Sequence, residues 1–284
     1  MIPSTFEYYA PTSVAEAASL LAQHGESAKL LAGGHSLLPV MKFRLAQPQI
    51  LISLGKIPDL NYIRESATAL SIGAMTTYFD IATSDIVRNR VPLLSEAALQ
   101  VADFQVRNRG TLGGSLAHAD PSGDMPAVAL ALGVEIVTNL RTIQIEDFFL
   151  DLFTTALNPD EILTEVSVPM LSAGAGSAYA KFANQASHYA IVGVAAVIAK
   201  DSNSVCTQAR IGVTGAGTKA LRAIQFENAL VGNVLTDESI RVAAQSATAG
   251  IEFLDDIHAS AEYREGMTAV FAERAVKEAV TRAS

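Results

Sequence analysis

Two glycine-rich segments, about eighty residues apart, contain the residue types that could bind a phosphorylated ligand. They are residues 32–36, Ala-Gly-Gly-His-Ser, and residues 111–115, Thr-Leu-Gly-Gly-Ser. Glycine adopts a positive φ at little steric cost and lets the main chain approach a ligand closely. Successive N–H groups in such a turn form a nest that binds anions. Together the two segments predict a site that holds the two phosphates of a dinucleotide from both sides.

The two segments lack the sequence patterns of two common phosphate-binding folds. Either segment alone predicts only a turn, because Gly-Gly pairs occur in many loops. Neither matches the G-x-G-x-x-G pattern of a Rossmann fold or the G-x-x-x-x-G-K-[ST] pattern of a P-loop. The formal net charge of -9 fits a site that binds phosphate through backbone N–H groups rather than through many cationic side chains.

Polar side chains in and after the glycine segments allow more than one interpretation. His35 could be catalytic, but the interpretation we favour is that its imidazole shapes the loop. Ser36 could donate its hydroxyl to a phosphate or cap the next helix. His118, Asp120 and Asp124 lie close together without a standard zinc spacing. Asp124 could have a structural role as an N-terminal cap, where the helix dipole favours its negative charge. Alternatively, it could accept hydrogen bonds from ribose hydroxyls.

Composition excludes several classes of function. The chain has 284 residues, half of them hydrophobic, and no apolar run long enough for a transmembrane helix. Residues 1–10 lack the pattern of a secretory signal, so a cytoplasmic location is predicted. The one cysteine, Cys206, allows neither a disulfide framework nor a Cys-ligated cluster within the chain. A sequence pI of about 5.0 argues against nucleic-acid binding.

The elements that position the glycine segments follow from caps and periodicity. Ser13 and Glu16 predict a capping box and a helix that ends near Gly25. A strand over residues 29–32, a short helix over 37–43 and a strand over 50–54 complete a small α/β unit of about 55 residues. The next unit is predicted to have strands over 69–73, 134–138 and 161–168 and helices over 77–82, 92–101 and 124–132.

The sequence changes character after Pro169, where residues 172–177 read as a linker or loop. Three consecutive strands, over residues 178–182, 190–199 and 206–213, favour antiparallel hairpins. Helices over 220–230, 237–248 and 261–282 follow them. This order predicts a separate α+β layer in the last third of the chain.

Three stretches resemble the FAD-binding medium subunit of the molybdenum hydroxylases, the family of aerobic carbon monoxide dehydrogenase and xanthine dehydrogenase. Residues 32–45 resemble its first FAD loop and following helix, residues 111–121 its second FAD segment, and residues 190–195 its C-terminal domain. The resemblance implies an α+β fold with two domains. Residues 1–172 would form an FAD-binding domain of the vanillyl-alcohol-oxidase (PCMH) type, with parts at about 1–55 and 56–172. Residues 177–284 would form a C-terminal domain with a three-stranded antiparallel sheet and helices.

The resemblance also implies which residues bind FAD. Lys181 matches a basic residue close to the flavin ring, where an ammonium group would favour negative charge on the ring; otherwise it would be a solvated strand charge. Tyr189 lies where the family often has an aromatic side chain beside the isoalloxazine, although His188 replaces the acid expected before it. The cofactor-binding residues predicted in this way are Leu30, Leu31, Ala32, Gly33, Gly34, His35, Ser36, Leu37, Thr111, Gly113, Gly114, Ser115, Asp124, Leu163, Lys181 and Tyr189.

The implied function is electron transfer within a larger complex. In this family a large subunit carries a molybdopterin-type molybdenum cofactor, and a small subunit carries two [2Fe-2S] clusters. The FAD of the medium subunit passes their electrons to an external acceptor, and the complex is expected to be a dimer of heterotrimers. Two alternatives are a self-sufficient flavin oxidase, with flavin bound covalently to a histidine such as His35, and a non-catalytic nucleotide-binding assembly protein. The substrate stays open among carbon monoxide, a purine, a nicotine-like N-heterocycle and an aldehyde.

Overall fold

A small parallel sheet and one long helix begin the chain in the computed structural model, which describes residues 2–284. The middle strand is β3, and it pairs in parallel with β1 and β2. Their apolar side chains, Ile52 among them, form a small core with the buried face of helix α1. The elements are β1 (Glu7–Tyr9), α1 (Val14–His24), β2 (Ala28–Leu31), α2 (Leu37–Lys42) and β3 (Ile50–Ser53).

Capping residues set both ends of helix α1. Ser13 Oγ accepts a hydrogen bond from the N–H of Glu16 at 3.2 Å, as the capping pattern predicts. The Glu16 carboxylate accepts from the N–H of Thr12 at 2.9 Å, one residue before the position that a capping box requires. Gly25 ends the helix with a φ of 50°. The predicted helix is therefore confirmed, and its capping box is only half formed.

A five-stranded antiparallel sheet forms the second unit, in the order β4-β5-β10-β6-β7. Its core joins the apolar face of the sheet to a layer of helices, and helix α8 is buried along its whole length. The strands are β4 (Ile63–Glu65), β5 (Ala69–Gly73), β6 (Glu135–Thr138), β7 (Thr142–Gln144) and β10 (Leu163–Pro169), with a hairpin of β8 (Phe149–Asp151) and β9 (Thr154–Thr155). The helices are α3 (Tyr78–Thr83), α4 (Asp85–Arg90), α5 (Pro92–Gln100), α6 (Phe104–Arg107), α7 (Leu112–His118) and α8 (Asp124–Leu132).

The last third of the chain is an antiparallel sheet covered by helices. Strand order is β11-β12-β13-β14, and helix α11 packs along β11 and β12. Helix α8 packs against β12 and β13, so this helix joins the second unit to the third. The elements are β11 (Gly176–Ala183), β12 (Ala190–Lys200), β13 (Cys206–Thr214), β14 (Leu221–Arg222), α9 (Ile224–Leu230), α10 (Asp237–Ala243) and α11 (Ala261–Arg282).

Several predicted elements differ from the structure. The sheet of the last third has a fourth, two-residue strand, because Leu221 and Arg222 pair with the edge of β13 before the helix begins. The helix predicted over 237–248 ends at Ala243 and continues as a 3-10 helix, Ala244–Thr248. Residues 111–115 are not a free turn but the cap and first turn of α7. Short elements without a clear sequence pattern were not predicted, namely β1, β4, β7, β8, β9, α4 and α6.

Shorter 3-10 segments connect the elements at Gly25–Ser27, Leu54–Lys56, Pro58–Leu60 and Ile145–Asp147. Among residues 2–284, no helix combines the length and the apolar character that crossing a membrane requires.

Candidate functional site

The first glycine segment forms the connection from β2 to α2. Its N–H groups at residues 33–36 have no hydrogen-bond acceptor among the side chains and backbone of residues 2–284. Gly34 has a φ of 78°, which a side chain would strain. Half-buried backbone donors normally have a partner. This loop therefore presents successive unpaired donors, the arrangement that binds an anion.

The second glycine segment offers a different set of donors. Thr111 caps α7 by accepting a hydrogen bond from the N–H of Gly114 at 3.2 Å. The N–H groups of Leu112 and Gly113 donate to carbonyls of the preceding chain, those of Thr76 and Ala74. The expectation of several free N–H groups is therefore wrong for this segment. The segment still contributes Thr111, Gly113, Gly114 and Ser115 to the lining of the cavity described below.

Direct contact brings the two glycine segments together. A Cβ atom on Gly33 would lie 2.0 Å from the carbonyl oxygen of Arg109, in the chain that leads into α7. A Cβ atom on Gly114 would lie 3.2 Å from Cβ of Ala32. The glycines therefore have a second purpose that the sequence analysis did not assign, which is to let two main-chain segments touch.

A cavity of about 690 Å³ opens beside this contact, a volume within the usual range of cofactor sites. Of the sixteen residues predicted to bind cofactor, all but two line it. Leu31 packs instead against the Gly34 position, and Lys181 lies behind the wall. The lining residues among the predicted set are Leu30, Ala32, Gly33, Gly34, His35, Ser36, Leu37, Thr111, Gly113, Gly114, Ser115, Asp124, Leu163 and Tyr189.

Lys181 is neither a free cation at the cavity nor a solvated strand charge. Its ammonium lies 2.9 Å from each carboxylate oxygen of Asp124 and 3.0 Å from the carbonyl oxygen of Gln100. The Lys181 and Asp124 side chains are 2% and 6% exposed. The buried carboxylate of Asp124 binds the ammonium in this structure, and the expectation that Lys181 lies close to a flavin ring stays a prediction.

Asp124 is the centre of a buried hydrogen-bonded group. Gly123 holds the cap position of α8, so Asp124 is the first helical residue. Its Oδ1 also accepts a hydrogen bond from the hydroxyl of Tyr179 at 2.5 Å. Burial raises the pKa of Asp124, and the positive charge of Lys181 opposes that rise. Burial likewise raises the pKa of Tyr179, so its hydroxyl keeps the proton it donates.

Tyr189 stands at the edge of the cavity in the turn between β11 and β12 and is 44% exposed. Burial of its hydroxyl end raises the pKa of Tyr189, and the charge of Asp120 adds to the rise. The same turn has His188 at a φ of 60°. Asn184 stabilises the turn, since its Oδ1 accepts from the N–H groups of Ala186 and Ser187.

A second buried carboxylate of the cavity wall, Glu161, was not predicted from the sequence. Glu161 lines the cavity and accepts from both Nε and Nη2 of Arg141 at 3.0 Å and from the hydroxyl of Thr138 at 2.7 Å. The hydrogen bonds from Arg141 hold the pKa of Glu161 at about 2, even though burial acts in the opposite direction. No sequence motif marks this pair, because twenty residues separate its members.

Two histidines, His35 in the first glycine segment and His118 just after the second, lie on the cavity wall. His35 Nδ1 is 3.2 Å from the carbonyl oxygen of Gly33, a contact within the loop itself. The ring of His118 packs on Phe153 with the ring centroids 5.1 Å apart, and burial lowers its pKa. Among residues 2–284, no group of three or more His, Cys, Asp and Glu side chains is arranged to hold a metal ion.

Comparison with known proteins agrees with a flavin site. The family model "FAD binding domain in molybdopterin dehydrogenase" matches residues 4–171, and "CO dehydrogenase flavoprotein C-terminal domain" matches residues 177–279. The chain is 43% identical over 286 residues to the carbon monoxide dehydrogenase medium chain of Hydrogenophaga pseudoflava, covering 99% of each chain. It is 38% identical over 287 residues to the 6-hydroxypseudooxynicotine dehydrogenase complex subunit alpha of Paenarthrobacter nicotinovorans, covering 100% of this chain and 97% of that one.

Structural comparison gives the same answer. A solved carbon monoxide dehydrogenase structure from Hydrogenophaga pseudoflava, which lacks the Mo-pyranopterin moiety of the molybdenum cofactor, superposes with a TM-score of 0.97 at 44% identity, over the full length of both chains. The α+β fold predicted from the sequence is thereby confirmed. The two family models, the full-length relatives and the cavity with unpaired N–H groups lead to one conclusion: this chain belongs to the family of FAD-binding medium subunits of the molybdenum hydroxylases.

Proposed function

We propose that the cavity holds FAD with its pyrophosphate on the loop of residues 32–36. The observation that carries this proposal is the run of N–H groups at residues 33–36 that have no hydrogen-bond acceptor among residues 2–284. A pyrophosphate would supply acceptors for them, and no cationic side chain is needed beside it. Thr111 and Ser115 line the same cavity, and the proposal assigns their hydroxyls as further hydrogen-bonding groups for the ligand.

The remaining wall residues have separate tasks in this proposal. Tyr189 covers one edge of the cavity and limits access of water to the ligand. Asp124 keeps a fixed position because Lys181 and Tyr179 hold its carboxylate. Lys181 therefore acts on the site through Asp124. The chemistry supplied by the bound cofactor is electron transfer from iron–sulfur clusters of a partner to an external acceptor.

The proposal includes two partner subunits. One carries a molybdopterin-type molybdenum cofactor and oxidises the substrate, and the other carries two [2Fe-2S] clusters. The support is that relatives covering the whole chain are named as a medium chain or as a subunit of a complex. The chain itself has one cysteine, Cys206, which is buried. We further propose a dimer of heterotrimers in the cytoplasm, with domains at residues 1–172, in parts of about 1–55 and 56–172, and at 177–284.

Purification from the native host under mild conditions tests this assembly. The expected result is co-purification of one larger molybdenum-containing and one smaller iron–sulfur subunit, in equal amounts with this chain. Recovery of the chain alone, with oxidase activity of its own, would contradict the proposal. We assign the choice of substrate to the larger partner. The reason is that relatives whose names refer to different substrates, carbon monoxide and 6-hydroxypseudooxynicotine, both match this chain over its full length.

Two cheaper measurements separate the alternatives. Acid precipitation should release the flavin, since His35 contacts its own loop at Gly33 rather than being reserved for a covalent bond. Flavin that stays with the precipitate would favour a self-sufficient oxidase. Purified chain that is colourless and cannot be reconstituted with FAD would favour a nucleotide-binding assembly protein without a redox role.

A further inference from the structure

Arg264 is a buried arginine outside the cavity whose hydrogen bonds reach two strand ends. It lies on α11 and is 2% exposed. Its Nη1 donates to the carbonyl oxygens of Ile191 and Gly215, each at 2.7 Å, and its Nη2 donates to Oδ2 of Asp256 at 2.8 Å. The guanidinium therefore ties the start of β12, the residue after β13 and the chain before α11 to one another.

Those strand ends hold part of the cavity wall. The N–H of Gly215 donates to the carbonyl oxygen of Pro121 at 2.7 Å. The N–H of Ala190, next to Tyr189, donates to the carbonyl oxygen of Ser122 at 3.2 Å. Backbone hydrogen bonds therefore connect residues 120–124 to the two strand ends that Arg264 joins. Asp120, Asp124 and Tyr189 line the cavity and lie on or next to this backbone.

Stability alone does not explain a charged group in this position. Buried ion pairs are often no more stabilising than apolar side chains of the same size. The Nε atom of Arg264 is buried without a hydrogen-bond partner among residues 2–284, which adds a further cost. The guanidinium is planar, and it holds two carbonyl oxygens and a carboxylate in a fixed relative arrangement.

We propose that Arg264, held by Asp256, is a positioning residue for the FAD site. It acts through the carbonyl oxygens of Ile191 and Gly215, which set where residues 120–124 and Tyr189 stand around the cavity. It does not touch the cofactor. This inference rests on the proposed placement of FAD in the cavity.

The test uses the full-length chain and measures three quantities. They are the dissociation constant for FAD, the visible circular dichroism of the bound flavin, and the midpoint of urea unfolding. The variants are Arg264→Met, Arg264→Lys and Asp256→Asn. The matched control is Arg222→Met, because Arg222 also pairs with a buried acid, Glu227, in the same part of the chain but lies away from the cavity.

Arg264→Met should weaken FAD binding at least tenfold and change the visible circular dichroism. Asp256→Asn should weaken binding by a few-fold, and Arg264→Lys should fall between wild type and Arg264→Met because an ammonium cannot reproduce the fork. Arg222→Met should lower the unfolding midpoint with FAD affinity within twofold of wild type. If Arg264→Met does not fold, the other two variants decide the question.

Three results would overturn the inference. One is unchanged FAD affinity and circular dichroism in folded Arg264 and Asp256 variants, while wild type binds normally. Another is an equal loss of affinity in Arg222→Met, which would show a general effect of destabilisation. The third is full rescue by Arg264→Lys, which would show that charge alone suffices. Wild-type protein that fails to bind FAD would instead contradict the proposed function.

Discussion

The ammonium of Lys181 and the carboxylate of Asp124 form a buried ion pair that joins β11 to the start of α8, with 2.9 Å between Nζ and each carboxylate oxygen. The two residues are 57 positions apart and belong to stretches that match different family models. The pair therefore connects the cavity wall to the last third of the chain.

Removal of the cation from this pair should be costly. Lys181→Met leaves the Asp124 carboxylate buried with only Tyr179 as a side-chain donor. We expect a loss of about 3–5 kcal/mol in the free energy of unfolding, the range for one partner removed from a buried pair. Urea unfolding measures it. Lys200→Met is the control, because among residues 2–284 Lys200 donates only to the carbonyl oxygen of Val280; it should cost less than about 1 kcal/mol.

The contact between glycine segments predicts the effect of a single methyl group. Gly33→Ala places a Cβ 2.0 Å from a main-chain oxygen, which cannot move aside as a side chain would. We expect a loss of about 3 kcal/mol or more in stability and loss of FAD binding. Gly266→Ala in α11 is the control, since its Cβ meets nothing within 4 Å and should add about 0.5–1 kcal/mol. Equal behaviour of the two variants would contradict the contact.

Glu161 predicts how stability changes with pH. Its pKa is about 2 in the folded chain, below the ordinary value of 4.5, chiefly because of hydrogen bonds from Arg141. The ionised group therefore stabilises the fold above about pH 4.5, and that stabilisation disappears as the pH falls towards 2. We expect a contribution on the order of 2 kcal/mol, reduced by solvent screening because Arg141 is half-exposed.

Comparison of wild type with Glu161→Gln isolates this contribution. Urea midpoints measured at several pH values below about 5 should fall less steeply in the variant. Parallel slopes would show that Glu161 keeps an ordinary pKa in the folded chain. Arg141→Gln should flatten the same profile, because it removes the main cause of the low pKa.

His35 should affect binding without being required for chemistry. His35→Ala removes the contact of Nδ1 with the Gly33 carbonyl oxygen and loosens a loop whose N–H groups are proposed to bind phosphate. We expect FAD affinity to fall several-fold, with little change in the unfolding midpoint of the cofactor-free chain. His24→Ala, at the end of α1, provides a histidine control. Complete loss of reduction of the bound flavin in His35→Ala would assign the imidazole a chemical role.

Local patterns identified residues that line the cavity where one short segment holds several of them. The glycine pairs, the cap of α1 and the start of α8 at Asp124 are all visible in windows of a few residues. The three long strands of the last sheet were also predicted from the sequence, β12 from a continuous apolar run and β13 from apolar alternation.

Contacts between residues far apart in the sequence could not be predicted from such local patterns. Lys181 reads as a cation available to a ligand until its neighbour Asp124 is seen in space. Arg141 with Glu161 and Arg264 with the carbonyl oxygens of two strand ends leave no trace in local spacing. The second glycine segment was misjudged because glycine is poor in helices, and tight packing of Gly113 on Ala74 outweighs that propensity.

Because the N–H groups at residues 33–36 have no acceptor among residues 2–284, a cofactor that binds them becomes part of the folding equilibrium. A ligand that binds only the native chain raises its stability by mass action, by about 2.7 kcal/mol at a concentration one hundred times the dissociation constant. Chain made without flavin lacks that increment and spends more time unfolded, where proteases act. We therefore expect the cellular amount of this subunit to follow the supply of flavin.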